Sequence, residues 1–130
     1  VLILDTHVLL WWVNGDAGQL SAPARAAIEA ERAAGEIGIC AITAWEIAML
    51  VKHGRLVLAM DVEAWLNLVA SLVSLLPVDR NIAVKSVDLP GDFHKDPADR
   101  MIVATARHFG AALVTADEKI RDYPHLKTVW

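Results

Sequence analysis

Val1-Leu2-Ile3-Leu4-Asp5-Thr6-His7, VLILDTH, is the stretch whose reading decides the fold. Four apolar residues in a row, with no polar alternation, describe a strand covered on both faces, as in a parallel sheet. The run breaks off at a carboxylate. A charge there contributes nothing to packing, whereas the carboxyl ends of strands in open α/β sheets are where ligands bind. The question for the rest of the chain is whether other carboxylates reach the same edge.

Outward from this strand, short apolar runs alternate with helical patterns. Residues 6–13 (THVLLWWV) are apolar on nearly every side and predict a helix buried all round, ended by the turn Asn14-Gly15-Asp16. Ser21 and Pro23 open an exposed, alanine-rich helix that runs to about Ala34 and stops at Gly35. Residues 36–40 (EIGIC) predict a strand, and 43–53 a helix stopped by Gly54. Asp61 starts a helix whose Val62, Trp65, Leu66, Val69, Leu72, Val73 and Leu76 fall on one face. Residues 74–78 predict a third strand, Asp79 caps a short helix to about Ser86, and Leu89 to Asp92 form a loop. Asp96-Pro97 opens a helix running to Phe109 and stopped by Gly110. Residues 111–115 (AALVT) predict a fourth strand, 117–122 a short helix and 127–130 (KTVW) a last short strand. This order predicts an α/β fold of three layers, with a short central parallel sheet flanked by helices and joined by right-handed crossovers.

A chain of 130 residues is expected to form one domain, spanning 1–130, with a core that needs no staples. Its 55% hydrophobic content exceeds the roughly 45–50% of soluble chains and predicts an apolar patch for an oligomer or partner, although alanine-rich helices account for part of the excess. The net charge of -4 gives no global attraction for nucleic acid, but a bound cation can reverse the sign of a local site. The lone Cys40 reads as a small buried strand residue, and the impossibility of an internal disulfide fits a reducing compartment such as the cytoplasm. No run reaches the ~18 apolar residues of a membrane span, and no basic segment introduces a signal peptide. The chain opens on Val rather than Met, so a residue or two is expected to precede it.

Glu46 lies about one helical turn beyond IGIC, and Asp117 closely follows ALVT. With Asp5, both belong near the carboxyl edge of a parallel sheet. Asp99 sits in the first turn of the helix within HKDPADRMIVATA, and the loop 90–94 can bring that helix start to the same edge. Each acid also has a purely structural reading. Thr43-x-x-Glu46 is a capping box. Asp96-x-x-Asp99 is a cap followed by a favourable first-turn charge. Asp5 and Asp117 are helix caps. Together, however, the four carboxylates would repel strongly, and no run of Lys or Arg is placed to match them.

A divalent cation would match that charge. Oxygen donors favour Mg²⁺ or Mn²⁺ over Zn²⁺, and His7, His53, His94, His108 and His125 form no zinc-spaced pair. Cations held by carboxylates activate water and stabilise the leaving oxygen of a phosphodiester, so metal-dependent phosphodiester hydrolysis is the expected chemistry, with Asp5, Glu46, Asp99 and Asp117 as ligands and catalytic groups. Asp96 either contacts a second metal or caps its helix. Thr6 is expected to hydrogen-bond a metal-bound water and Thr115 to orient Asp117. Lys95, Arg100, Lys119 and Arg121 are candidate phosphate contacts. Trp45 stacks on a base or joins the core, and Trp11, Trp12 and Trp65 belong to the core or a dimer contact. The chain lacks GxGxxG, GxxxxGK[ST] and GxSxG. It also lacks the acidic pair of a phospho-receiver beside Asp5, and His7 stands where haloacid-dehalogenase-like phosphatases need a second Asp.

These motifs resemble those of the PIN-domain ribonucleases, specifically the toxin component of VapBC toxin–antitoxin systems. LDTHVLLW is similar to the family's first acidic motif, TAWEIAM to the second, HKDPADRMIVATA to the third and VTAD to the fourth, with Asp5, Glu46, Asp99 and Asp117 as their acids. The match covers essentially the whole chain in the family's order, although WEIAMLVKHGRL departs from the usual WEIAIK pattern around its Lys. The resemblance implies a Rossmann-like PIN fold, Mg²⁺- or Mn²⁺-dependent endoribonuclease activity, a homodimer and a cognate antitoxin that blocks the site. A PIN nuclease that cleaves DNA or processes RNA shares the same motifs.

Overall fold

The strands all run the same way. A computed structural model describes residues 1–130, Ala17 by its backbone alone. Strand β1 (Leu2–Leu4) lies at the centre, between β2 (Ile37–Cys40) and β4 (Ala112–Val114), with β3 (Ser74–Leu76) and β5 (Thr128–Val129) at the edges. All four pairings are parallel, with Ile3 opposite Gly38 on one side and Leu113 on the other.

The apolar run that opens the chain is two-faced because the strand period is two. Leu2 and Leu4 enter one core with Ile37, Ile39 and Val114. Ile3 enters the other with Cys40 and Leu113. Helices α1 (Thr6–Val13), α2 (Ala22–Ala34), α3 (Ile42–Lys52) and α4 (Val62–Leu72) cover the first face. Helices α5 (Arg80–Val87), α6 (Pro97–His108) and the short α7 (Glu118–Arg121) cover the second. The chain builds outward from β1 to β3, then returns to the far side of β1 for β4. With right-handed crossovers, that reversal moves the later helices to the opposite face. It also opens a crevice between the carboxyl ends of β1 and β4, the switch point where such sheets bind ligands.

Several boundaries differ from the sequence expectation, with clear causes. The helix after β2 begins at Ile42, so Thr43 lies inside its first turn; Ala41 is the N-cap and supplies no side-chain cap. The expected capping box of Thr43 and Glu46 therefore does not form. The stripe beginning at Val62 does not continue as one helical face: Val73 turns extended at the helix end and Leu76 belongs to β3. Apolar residues that suit a helix face suit an edge strand equally well, so periodicity alone could not place that boundary. Among the described residues, no helix is long and apolar enough to cross a membrane.

Candidate active site

Three of the acids are placed by capping. Asp5 ends β1 and caps α1, its Oδ1 accepting the Val8 N–H at 2.9 Å. Asp96 caps α6, its Oδ1 accepting from Ala98 at 2.9 Å and Asp99 at 3.2 Å. Asp117 caps α7, its Oδ1 accepting from Lys119 at 2.8 Å. Each cap uses Oδ1 and leaves Oδ2 to other partners. The capping reading and the ligand reading are thus compatible in the same residues. The helix starts also bring partial positive charge to the edge where the acids gather.

Glu46 arrives differently, from the second turn of α3. The Thr6 hydroxyl donates to its Oε1 at 2.5 Å and lies 3.1 Å from the hydroxyl of fully buried Thr43. Thr6 therefore aims Glu46; that contact is visible, whereas the expected contact with a metal-bound water is a different role. Thr115, also fully buried, accepts the backbone N–H of Asp117 at 3.1 Å, and its hydroxyl opposes the upward push of burial on Asp5.

The result is one cleft of about 470 Å³, lined by Asp5, Glu46, Asp96, Asp99 and Asp117 together with Thr6, His7, Trp11 and Ile102. Its electrostatics are those of crowded like charge. Asp99 is pushed up from 3.8 to about 7, first by burial and then by Asp96, Asp117, Glu46 and Asp5. Burial also raises Glu46, with Asp96 and Asp5 adding to the effect against the Thr6 hydrogen bond. Burial likewise raises Asp5, which is only 8% exposed, against the hydrogen bonds from Thr115 and Val8. Among the described residues, no three acidic, histidine or cysteine side chains close on a common point as a finished ion site. The acids ring the cleft instead. Their chemistry nevertheless fits a hard divalent cation: carboxylate oxygens, mutual repulsion that a cation would relieve, and no thiolate among them.

The basic candidates separate. Arg100 does not offer its guanidinium to a phosphate. Its Nε donates to the Ser86 carbonyl at 2.7 Å, Nη1 to Phe93 and His94 at 2.9 and 3.1 Å, and Nη2 to Val87 at 3.1 Å. It corrects the expectation by acting as a clamp between α6, the end of α5 and the loop before α6. Lys95, Lys119 and Arg121 are exposed and lie outside the cleft lining. Trp45 is 56% exposed, which excludes the core reading, and it lines an apolar hollow of about 650 Å³ that shares Glu46 and Asp96 with the acidic cleft. Trp65 is buried as expected, whereas Trp11 lines the cleft itself.

Sequence reasoning did not assign His7 or His94 to the site. His7 lines the cleft, and its place directly after Asp5-Thr6 was the available signal. His94 Nε2 lies 3.2 Å from Asp99 Oδ2, a contact that the loop conformation creates and no spacing rule encodes.

A sequence model of the PIN domain matches residues 2–126. Ribonuclease VapC22 of Mycobacterium tuberculosis (strain ATCC 25618 / H37Rv) is 39% identical over 131 residues, 99% of this chain and 98% of that protein. The fold is similar to that of a toxin–antitoxin complex from Klebsiella pneumoniae, with a TM-score of 0.69 and 21% identity across 100% of this chain and 97% of that one. It is also similar to VapBC2 of Rickettsia felis bound to a DNA fragment from its promoter, with a TM-score of 0.68 and 17% identity across 98% and 96% of the two chains.

Proposed function

The chain belongs to the PIN-domain family, and from that premise we propose that it is a divalent-metal-dependent endoribonuclease, the toxin of a type II toxin–antitoxin pair. The observation that carries the reading is the meeting of Asp5, Glu46, Asp99 and Asp117, from four separate segments, in one cleft at the carboxyl edge of the sheet. The whole-length likeness to a ribonuclease supplies the substrate class.

Asp5, Glu46, Asp99 and Asp117 would hold the cation, with Asp96 beside them, and Mg²⁺ or Mn²⁺ suits such donors best. When bound, a cation of this kind supplies an activated water and stabilises the charge that develops on the departing oxygen. The protein's own part is positioning. Capping fixes Asp5, Asp96 and Asp117 through Oδ1, and Thr6 fixes Glu46. Without a cation, burial and the neighbouring acids hold Asp99 up at about 7, and a bound cation would favour its ionised, ligating form. Trp45, exposed next to Glu46, is available to stack on a base. Lys95, Lys119 and Arg121 are left as surface contacts for flanking phosphates.

The partner is an antitoxin protein, as in the toxin–antitoxin complexes with this fold. A homodimer would cover some of the exposed apolar side chains, among them Leu68, Leu72, Leu75 and Val84. Residues 1–130 would form a single PIN domain working in the cytoplasm. The test is incubation of the purified chain with a mixture of tRNA and rRNA, with Mn²⁺ or with EDTA, followed by mapping of the new ends. Discrete cuts that require the cation are expected. Cleavage that persists in EDTA, or none under any condition, would refute the reading.

A further inference from the structure

Among the described residues, one buried side-chain nitrogen or oxygen has no hydrogen-bond partner, and it is His94 Nε2. Buried polar atoms are almost always satisfied, so an orphan beside a functional carboxylate calls for a reason. His94 Nδ1 faces the backbone N–H of Asp96 at 3.4 Å and accepts from it, which leaves the ring proton on Nε2. Asp99 Oδ2 lies 3.2 Å from that nitrogen. This is close enough for attraction, yet not aligned as a hydrogen bond.

The ring is held firmly. Arg100 grips the carbonyls of Phe93 and His94. The imidazole packs on Phe93 with centroids 4.3 Å apart, Phe93 packs on Tyr123 at 4.9 Å, and the Tyr123 hydroxyl donates to the Pro90 carbonyl. So much fixation around a donor without a partner means that the donor is placed for a carboxylate orientation other than the one seen here. We infer that His94 is a positioning residue for the cation site: its Nε2–H receives Asp99 when that carboxylate swings to face a bound ion, and so fixes which oxygen Asp99 presents. Outer hydrogen bonds of this kind orient ligands in metal sites generally. The inference rests on the cation reading proposed above.

The test is direct titration with Mn²⁺, following the free-ion electron paramagnetic resonance signal, on the wild-type chain and three variants. His94→Ala removes ring and donor, His94→Phe keeps a ring to pack on Phe93 without the donor, and His94→Gln keeps a donor near the Nε2 position. Loss of a positioning hydrogen bond should weaken Mn²⁺ binding about tenfold to a hundredfold in the Ala and Phe variants, with Gln returning to within about threefold of wild type. Wild-type affinity in His94→Phe would overturn the inference, because packing rather than the N–H would then suffice. So would a Gln variant as weak as Ala. A wild-type chain that binds no Mn²⁺ would remove the cation reading itself, a result distinct from normal binding that His94 does not influence.

Discussion

Replacing Asp99 by Asn should make the metal-free protein more stable, and the size of the gain follows from the crowding in the cleft. Raising a carboxyl from 3.8 to about 7 corresponds to about 4 kcal/mol against its ionised form in the folded state. Asp99 is partly exposed, and solvent in the open cleft screens the repulsion, so about 2 kcal/mol is the expected net effect. The direction with pH is fixed by linkage. Below about pH 4, Asp99 is protonated in both folded and unfolded chains and contributes no penalty. Between about pH 4 and 7 the unfolded chain has released the proton that the folded chain still holds, so stability falls as pH rises. Above about 7 the full penalty is present. Asp99→Asn in EDTA should therefore melt about 8 °C above wild type at pH 8, with the gap closing toward pH 4. Mn²⁺ should raise the wild-type midpoint and leave the variant nearly unmoved. Circular dichroism melts at the two pH values, with EDTA and with Mn²⁺, measure all of this. If Asp99 were only a favourable first-turn charge on α6, its removal would instead cost roughly 0.3–1 kcal/mol. A variant that melts at or below wild type at pH 8 in EDTA would refute the reasoning.

Asp5→Asn should abolish Mn²⁺-dependent RNA cleavage, by at least about a hundredfold, while the metal-free melting midpoint stays at or above wild type, because Asn caps a helix about as well as Asp, can still accept the Val8 N–H, and removes a buried charge; gel-based cleavage alongside a melt separates the two effects. Arg100→Ala should lower stability by about 2–4 kcal/mol, since a charged donor to four carbonyls is removed, and a urea titration showing no change in midpoint would make Arg100 a phosphate-binding candidate again. Gly91→Ala should cost at least about 1 kcal/mol in the same titration, because Gly91 sits at φ 64° and a Cβ there would meet His125 Nε2 at 3.1 Å. Lys119→Ala with Arg121→Ala should weaken RNA binding and reduce the slope of log affinity against log salt by about 1 for each phosphate the two side chains neutralise, read by fluorescence anisotropy at several salt concentrations.

The individual acids are legible in the chain, but their roles are not. Asp96-Pro97 announces a helix start whether or not a ligand is near, and the structure shows the cap and the cleft position together. Glu46 offered a false structural alternative, because a Thr three residues before a Glu is the pattern of a capping box. The helix in fact starts one residue earlier, and the threonine that meets Glu46 is Thr6, forty positions away. Arg100 misled in the opposite direction: a basic residue beside a candidate ligand invites a phosphate, and only the loop path delivers four carbonyls to its guanidinium.

What the chain determined by itself is whatever depends on local pattern. A two-faced apolar run, caps at helix starts and alternating strand and helix periods are written in neighbouring residues, and they suffice for a parallel α/β sheet with acids beyond its strands. The tertiary structure alone decided which partners those acids find. The reversal of strand order beside β1 opens the crevice, Thr6 bridges to Thr43 and Glu46 far along the chain, and a loop held by Arg100 sets His94 beside Asp99. Such contacts join residues whose separation along the chain carries no period, so they exist only once packing has brought the segments together.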